Sequence, residues 1–273
     1  YQGIFAYDAA PLNARLEETV TARNWTRERV SFDAADGDRM IVYLFLPSAG
    51  APPYKTVVYW PGSNALGHNS IDDYPELHID FVIKSGRALA FPVLYGTFER
   101  GDRGPQPDIA TTAHRDRTVR RVKDLRRAID YLETRADVES GTLSYYGLSW
   151  GGWNAPLVLS VEPRLHSAVL YVAYIVPLTG GLWSSELPGG RMLPEVDPVT
   201  YLRKVKVPVL MLNGQFDNLG PLETSVRPFF QLLGTPEPDK RLFIAEGGHF
   251  VPRATLIRET LDWLDKYQGR PGS

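Results

Sequence analysis

Gly147-Leu148-Ser149-Trp150-Gly151 decides how this 273-residue chain is read. A β-rich run, Leu143-Ser144-Tyr145-Tyr146, enters it. An apolar helical run, Trp153-Asn154-Ala155-Pro156-Leu157-Val158-Leu159, leaves it. A serine between two glycines at a strand-to-helix junction calls for a turn too tight for side chains on either flank. Such a turn holds the serine backbone in strain and lifts its hydroxyl above the sheet. The helix behind it aims free N–H groups and the positive end of its dipole at the same point, where they favour developing negative charge. By composition alone the five-residue pattern arises in about one chain in ten of this length. Its strand and helix context separates it from a plain glycine-rich turn. Pro156 removes one helical N–H, near the first turns where the loss is smallest.

Outward from this turn, strands alternate with helical patterns, the mark of a mostly parallel sheet covered by helices on both faces. Residues 29–33 and 40–46 alternate in polarity around Asp36-Gly37-Asp38, which predicts an antiparallel hairpin at the start of the sheet. Residues 56–60, 88–94, 141–146, 168–175, 207–212 and 240–245 complete an expected eight strands, with Pro92 awkward inside its run. Helices are expected over 75–85, 149–160, 222–233 and 255–267. The strongest spans 112–135, where Val119, Val122, Leu125, Ile129 and Leu132 form one stripe. Lys and Arg cluster between Arg115 and Arg127 on this helix and read as a solvated face. Residues 1–28 read as an irregular or partly helical lead-in. Residues 177–204 begin with a stretch rich in Gly and Pro and read as a candidate small cap on one 1–273 domain.

A serine nucleophile in this turn needs an acid and then a histidine, each after a later strand. Asn213-Gly214-Gln215-Phe216-Asp217 follows the run 207–212, and Gly247-Gly248-His249-Phe250 follows 240–245. Ser149 is therefore the expected nucleophile, His249 the general base, and Asp217 the carboxylate that orients the imidazole. Of the other histidines, His68 and His114 sit in positions that could border a pocket, while His78 and His166 read as surface or core residues. Two backbone N–H donors must face the oxyanion. Trp150 and Ser63, in Pro61-Gly62-Ser63-Asn64, are the expected pair, with Asn64 next to Ser63. Tyr95, Phe98, Trp153, Trp183 and Asn64 are the expected substrate contacts, with core packing the alternative for the aromatics.

Composition narrows the rest. The formal net charge of −2 gives no reason to expect a nucleic-acid partner. With no cysteine, thiolate metal sites and cysteine nucleophiles are excluded. No metal-ligand spacing appears, so no metal and no other cofactor is expected. No apolar run is long enough for a membrane span, and no signal peptide is visible. The chain starts at Tyr1 without an initiator Met, which suggests an excised domain or a mature form. Its compartment stays open, cytoplasmic if it comes from a larger intracellular protein.

At Ser149, Asp217 and His249 the chain resembles the α/β-hydrolase superfamily, over nearly its whole length. Gly147-Leu148-Ser149-Trp150-Gly151-Gly152 and Gly248-His249 look like the branch of dienelactone hydrolases, acetyl xylan esterases and prolyl-oligopeptidase-like enzymes. Tyr59-Trp60-Pro61-Gly62-Ser63 and the run from Arg227 to Pro236 are similar to hydrolase domains fused to bacterial serine/threonine kinases. The chain departs from this branch in three ways. Ser149 stands where dienelactone hydrolases have a cysteine. Too few residues precede the first strand for the propeller of the branch's exopeptidases. Pro61-Gly62-Ser63 stands in place of the His-Gly-Gly of many esterases. The resemblance implies hydrolysis of small to medium carboxylic esters through an acyl-enzyme on Ser149. A serine peptidase or amidase with the same three residues is the alternative, and a non-catalytic domain on the same scaffold is a third reading.

Overall fold

The computed structural model describes residues 1–74, 79–101, 104, 106–176 and 192–272. Among these residues nine strands form one sheet: β1 (Arg15–Thr21), β2 (Trp25–Asp33), β3 (Arg39–Pro47), β4 (Thr56–Trp60), β5 (Ala88–Val93), β6 (Leu143–Leu148), β7 (Leu165–Tyr171), β8 (Val209–Gly214) and β9 (Lys240–Ala245). Their spatial order is β1-β2-β3-β5-β4-β6-β7-β8-β9. The first four in that order pair antiparallel, and every pair from β5 onward is parallel.

Nine strands stand where eight were expected, because the lead-in contains β1. Nearly all of its side chains are exposed, and only Val20 is partly covered. A strand wetted on both faces carries no apolar alternation, so only its main-chain pairing to β2 defines it.

Among the described residues five α-helices cover the sheet: α1 (Asp80–Lys84), α2 (Thr112–Glu133), α3 (Trp150–Leu159), α4 (Arg227–Leu232) and α5 (Arg253–Tyr267). The central strands are buried on both faces, as their unbroken apolar runs require. Alternate residues divide between two cores. Val58, Trp60, Tyr145 and Leu170 join the core that holds Leu125 and Ile129 of α2, Val158 of α3 and Phe229 of α4. Val57, Tyr59, Tyr146 and Val169 join the core that holds Val82 of α1 and Leu264 of α5.

Pro92 fits inside β5 because the pairing to β4 ends at Val58 and Ala90, so no ladder bond on that side needs its missing N–H. Leu222–Val226 forms a π-turn that runs into α4, where one longer helix was expected. Of the expected cap, 177–191 lies outside the described residues. Pro198–Lys204 is a 3-10 helix whose Tyr201 and Leu202 are fully buried in the core that holds α3.

The basic cluster on α2 is not a uniformly solvated face. Arg121 and Arg127 are 3% and 2% exposed. Arg127 donates to the carbonyls of Asp33 (3.1 Å) and Ala10 (2.9 Å), and Arg121 donates to the Tyr95 carbonyl at 2.9 Å. Carbonyls of loops and of the end of β2, brought against the helix, supply acceptors that a helical-face reading cannot foresee.

Leu125 is fully buried on the apolar stripe of α2. Leu125→Ala should lower the unfolding free energy by about 2–5 kcal/mol, read from the urea midpoint. A change below about 0.5 kcal/mol would contradict this packing.

Candidate active site

β6 ends at Leu148, α3 begins at Trp150, and Ser149 makes the whole turn between them. Its φ of 49° and ψ of −101° are unfavourable for a side-chain-bearing residue and must be held by the surroundings. The Ser149 N–H donates to the Tyr171 carbonyl at 2.8 Å, and the Gly151 N–H to the Pro61 carbonyl at 3.1 Å. The Tyr145 hydroxyl donates to the Gly151 carbonyl at 2.6 Å. The turn therefore sits directly on β4 and β7. A Cβ on Gly151 would lie 2.1 Å from the Trp60 carbonyl oxygen, so only glycine permits the approach.

Asp217 follows β8 and His249 follows β9, and the two loops are joined by main-chain bonds. Gln215 N–H donates to the Ala245 carbonyl (2.8 Å) and Phe216 N–H to the Gly247 carbonyl (2.9 Å). A Cβ on Gly214 would come within 1.9 Å of the Gly248 carbonyl oxygen, so the loops meet over a bare backbone. His249 Nδ1–H donates to Asp217 Oδ2 at 2.8 Å, and the Ser149 hydroxyl donates to His249 Nε2 at 3.1 Å. The Asp217 side chain is fully buried, and its other oxygen accepts from the Leu219 N–H at 2.9 Å. The imidazole keeps 19% of its surface exposed, so one edge of the site is open. The Phe250 ring, 55% exposed, lies 5.2 Å from the imidazole, and Phe216, beside Asp217 in sequence, is 65% exposed.

Trp150 is the first residue of α3 and Ser63 the first of the 3-10 turn Ser63–Leu66. N–H groups at such positions have no acceptor within their own helix. Both residues line one pocket, together with Trp153, Arg121, His114 and Gln106.

The other expected contacts are placed differently. The Tyr95 ring lies against the Arg120 guanidinium, 3.7 Å from its carbon, while the Tyr95 main chain anchors Arg121 and Asp124. Phe98 is buried among Phe91, Tyr74 and His68. Asn64 is exposed, and its Oδ1 accepts from the Tyr74 hydroxyl at 3.2 Å. Trp183 and His78 lie outside the described residues. His166 is exposed. Among the described residues, no group of three or more His, Asp or Glu is arranged to hold a metal, and no helix is long and apolar enough to cross a membrane.

Burial, with help from the charges of Arg121 and Arg117, pushes the His114 imidazole down to about 4. An unfolded histidine titrates near 6.5. Below that value the unfolded chain takes up a proton that the folded chain refuses, so this residue lowers stability as pH falls from about 6.5 to 4. The urea midpoint of His114→Gln should therefore fall less across that window than that of the wild type. Parallel curves would contradict a neutral, enclosed imidazole.

No family model matches the chain. Among curated proteins it is 25% identical over 172 residues to cutinase 2 of Thermobifida cellulosilytica, covering 58% of this chain and 56% of that protein. It is also 25% identical over 166 residues to a bis(hydroxyethyl) terephthalate hydrolase of Streptomyces coelicolor, covering 58% and 46%. The chain thus spans about half the length of the curated relatives it matches. Among solved structures, acetyl xylan esterase 1 from Thermoanaerobacterium superposes with a TM-score of 0.72 at 15% identity, covering 94% of this chain and 89% of that one. Strand order, the serine turn and this superposition together give the chain the α/β-hydrolase fold.

Proposed function

We propose that this protein is a serine hydrolase of carboxylic esters of small to medium size. The observation that carries the reading is the hydrogen-bonded chain from Ser149 through His249 to Asp217. In this reading Ser149 Oγ attacks the ester carbonyl carbon while its proton passes to His249 Nε2. The oxygen of the tetrahedral intermediate takes the negative charge and faces the N–H groups of Trp150 and Ser63. Collapse breaks the bond to the alcohol oxygen, which receives the proton from His249, and leaves an acyl group on Ser149. Water, giving a proton to the same imidazole, attacks the acyl carbon. The acid departs and the serine hydroxyl is restored. Asp217 keeps Nδ1 protonated and stabilises the transient imidazolium.

The relatives' names, cutinase and terephthalate-ester hydrolase, support ester cleavage. The partly exposed imidazole, with the exposed Phe250 ring 5.2 Å away, supports an apolar alcohol portion leaving on that side.

With 4-nitrophenyl butyrate, the wild type should release a burst of nitrophenol followed by slower turnover. Ser149→Ala should abolish the burst and lower kcat by about 10⁴-fold or more. Ester turnover that survives in Ser149→Ala would refute the assignment.

A further inference from the structure

Beside the serine turn lies a buried cation with no carboxylate partner among the described residues. Arg121 lines the pocket that Ser63, Trp150 and Trp153 share. Its guanidinium carbon lies 4.8 Å from the centre of the Trp150 ring. Nε donates to the Tyr95 carbonyl, and Nη2 approaches Gln106 Oε1 at 3.4 Å. A guanidinium has five N–H donors, so these two contacts leave most of its capacity unused. The arginines around it are matched differently. Arg100 pairs with Asp124 at 2.5 Å, Arg120 with Asp36 and Asp38, and Arg127 with Asp130 at 3.0 Å. Asp124, the nearest acid along the helix, also accepts from the Tyr95 N–H, so both its partners are elsewhere. Among the described residues no carboxylate lies within ion-pair distance of Arg121.

Such burial is costly for a charge unless something compensates it. Burial and the charge of Arg117 push the Arg121 guanidinium down to about 10, which still leaves it protonated at neutral pH. His114, in the same wall, is neutral there and adds no competing charge. Leu66, Ile109, Val176 and Met192 supply an apolar lining. The result is a greasy pocket with one fixed positive charge, a form suited to a short carbon chain that ends in a carboxylate.

The arm of the ester that enters this pocket follows from the proton path. The leaving alcohol must be within reach of His249, and His249 is not among the described walls of the pocket. Ser63 and Trp150, on the carbonyl-oxygen side, are. Trp150, next to Ser149, and Ser63 border both the expected oxyanion position and this pocket, so in the esterase reading the acid portion of the ester is the arm assigned to the Arg121 side.

We propose that the pocket is an acyl subsite for a carboxylate, so that the preferred substrates are monoesters of short dicarboxylic acids, held by Arg121 through their free acid group. This rests on the esterase reading above and specifies its substrate class.

The test compares kcat/KM for monoethyl succinate, glutarate and adipate with that for ethyl butyrate, pentanoate and hexanoate. In the wild type the best acidic ester should exceed its neutral counterpart by about tenfold or more. Arg121→Met should lower that acidic-to-neutral ratio by about 30-fold or more, with the loss mainly in KM, and Arg121→Lys should restore part of it. Should these variants fail to fold, the wild type alone suffices: sodium glutarate should inhibit ethyl pentanoate hydrolysis at lower concentration than sodium pentanoate. A wild type that cleaves the neutral esters as well as the acidic ones, or glutarate no more inhibitory than pentanoate, overturns the subsite and leaves the esterase reading standing. No hydrolysis of any ester overturns both.

Discussion

One residue, Ser149, is held in a backbone conformation that it would leave if its neighbours let it. The cost of such a conformation is about 1–3 kcal/mol, and it persists only where surrounding bonds over-determine it. Here those bonds reach in several directions. The Ser149 N–H is tied to Tyr171 at the end of β7, the Gly151 N–H to Pro61 after β4, and the Gly151 carbonyl to the hydroxyl of Tyr145 within β6. The turn is thus clamped by three adjacent parallel strands, and any register error among them would displace the hydroxyl. The same clamp places the first N–H groups of α3 beside the loop after β4. The candidate nucleophile and the candidate oxyanion donors are therefore set by one piece of geometry.

The acid and the imidazole are positioned by a second device. The loop after β8 donates main-chain bonds to the end of β9 and the loop after it, and their closest approach is possible because Gly214 has no side chain to interpose. His249 is consequently located by its backbone before its side chain makes any bond. Asp217, fully buried, then selects which ring nitrogen carries the proton. Order along the chain, Ser then Asp then His, reflects order across the sheet, since β6, β7, β8 and β9 lie side by side.

Much of this was legible before any coordinates. Buried parallel strands announce themselves as unbroken apolar runs, and 56–60 and 207–212 did so. The serine turn carries its own glycines, and the loops bearing Asp217 and His249 follow strands at the same sheet edge. Illegible were features whose cause lies far away in sequence. β1 has no buried face to leave a pattern and exists because β2 offers an unpaired edge. Arg121 and Arg127 look like solvated residues on a helix until the loops at Tyr95 and Ala10 and the end of β2 at Asp33 bring carbonyls to meet them. Tyr95 and Phe98, which follow β5, turn into a cation contact and an aromatic cluster, because α2 offers the Tyr95 ring Arg120 and the rings of His68, Tyr74 and Phe91 enclose Phe98. Arg121 was hidden for the same reason, although it lies in the pocket wall beside Trp150, the residue after Ser149.

The central claim is that one hydroxyl, activated by one imidazole, is the reactive group of this protein. Incubation with a fluorophosphonate, followed by mass spectrometry of the digested chain, addresses it directly. A single adduct on the peptide containing Ser149, forming far more slowly when Asp217 is replaced by Asn, is the result the geometry predicts. An adduct on another residue, or an intact protein that takes up no label, would contradict it.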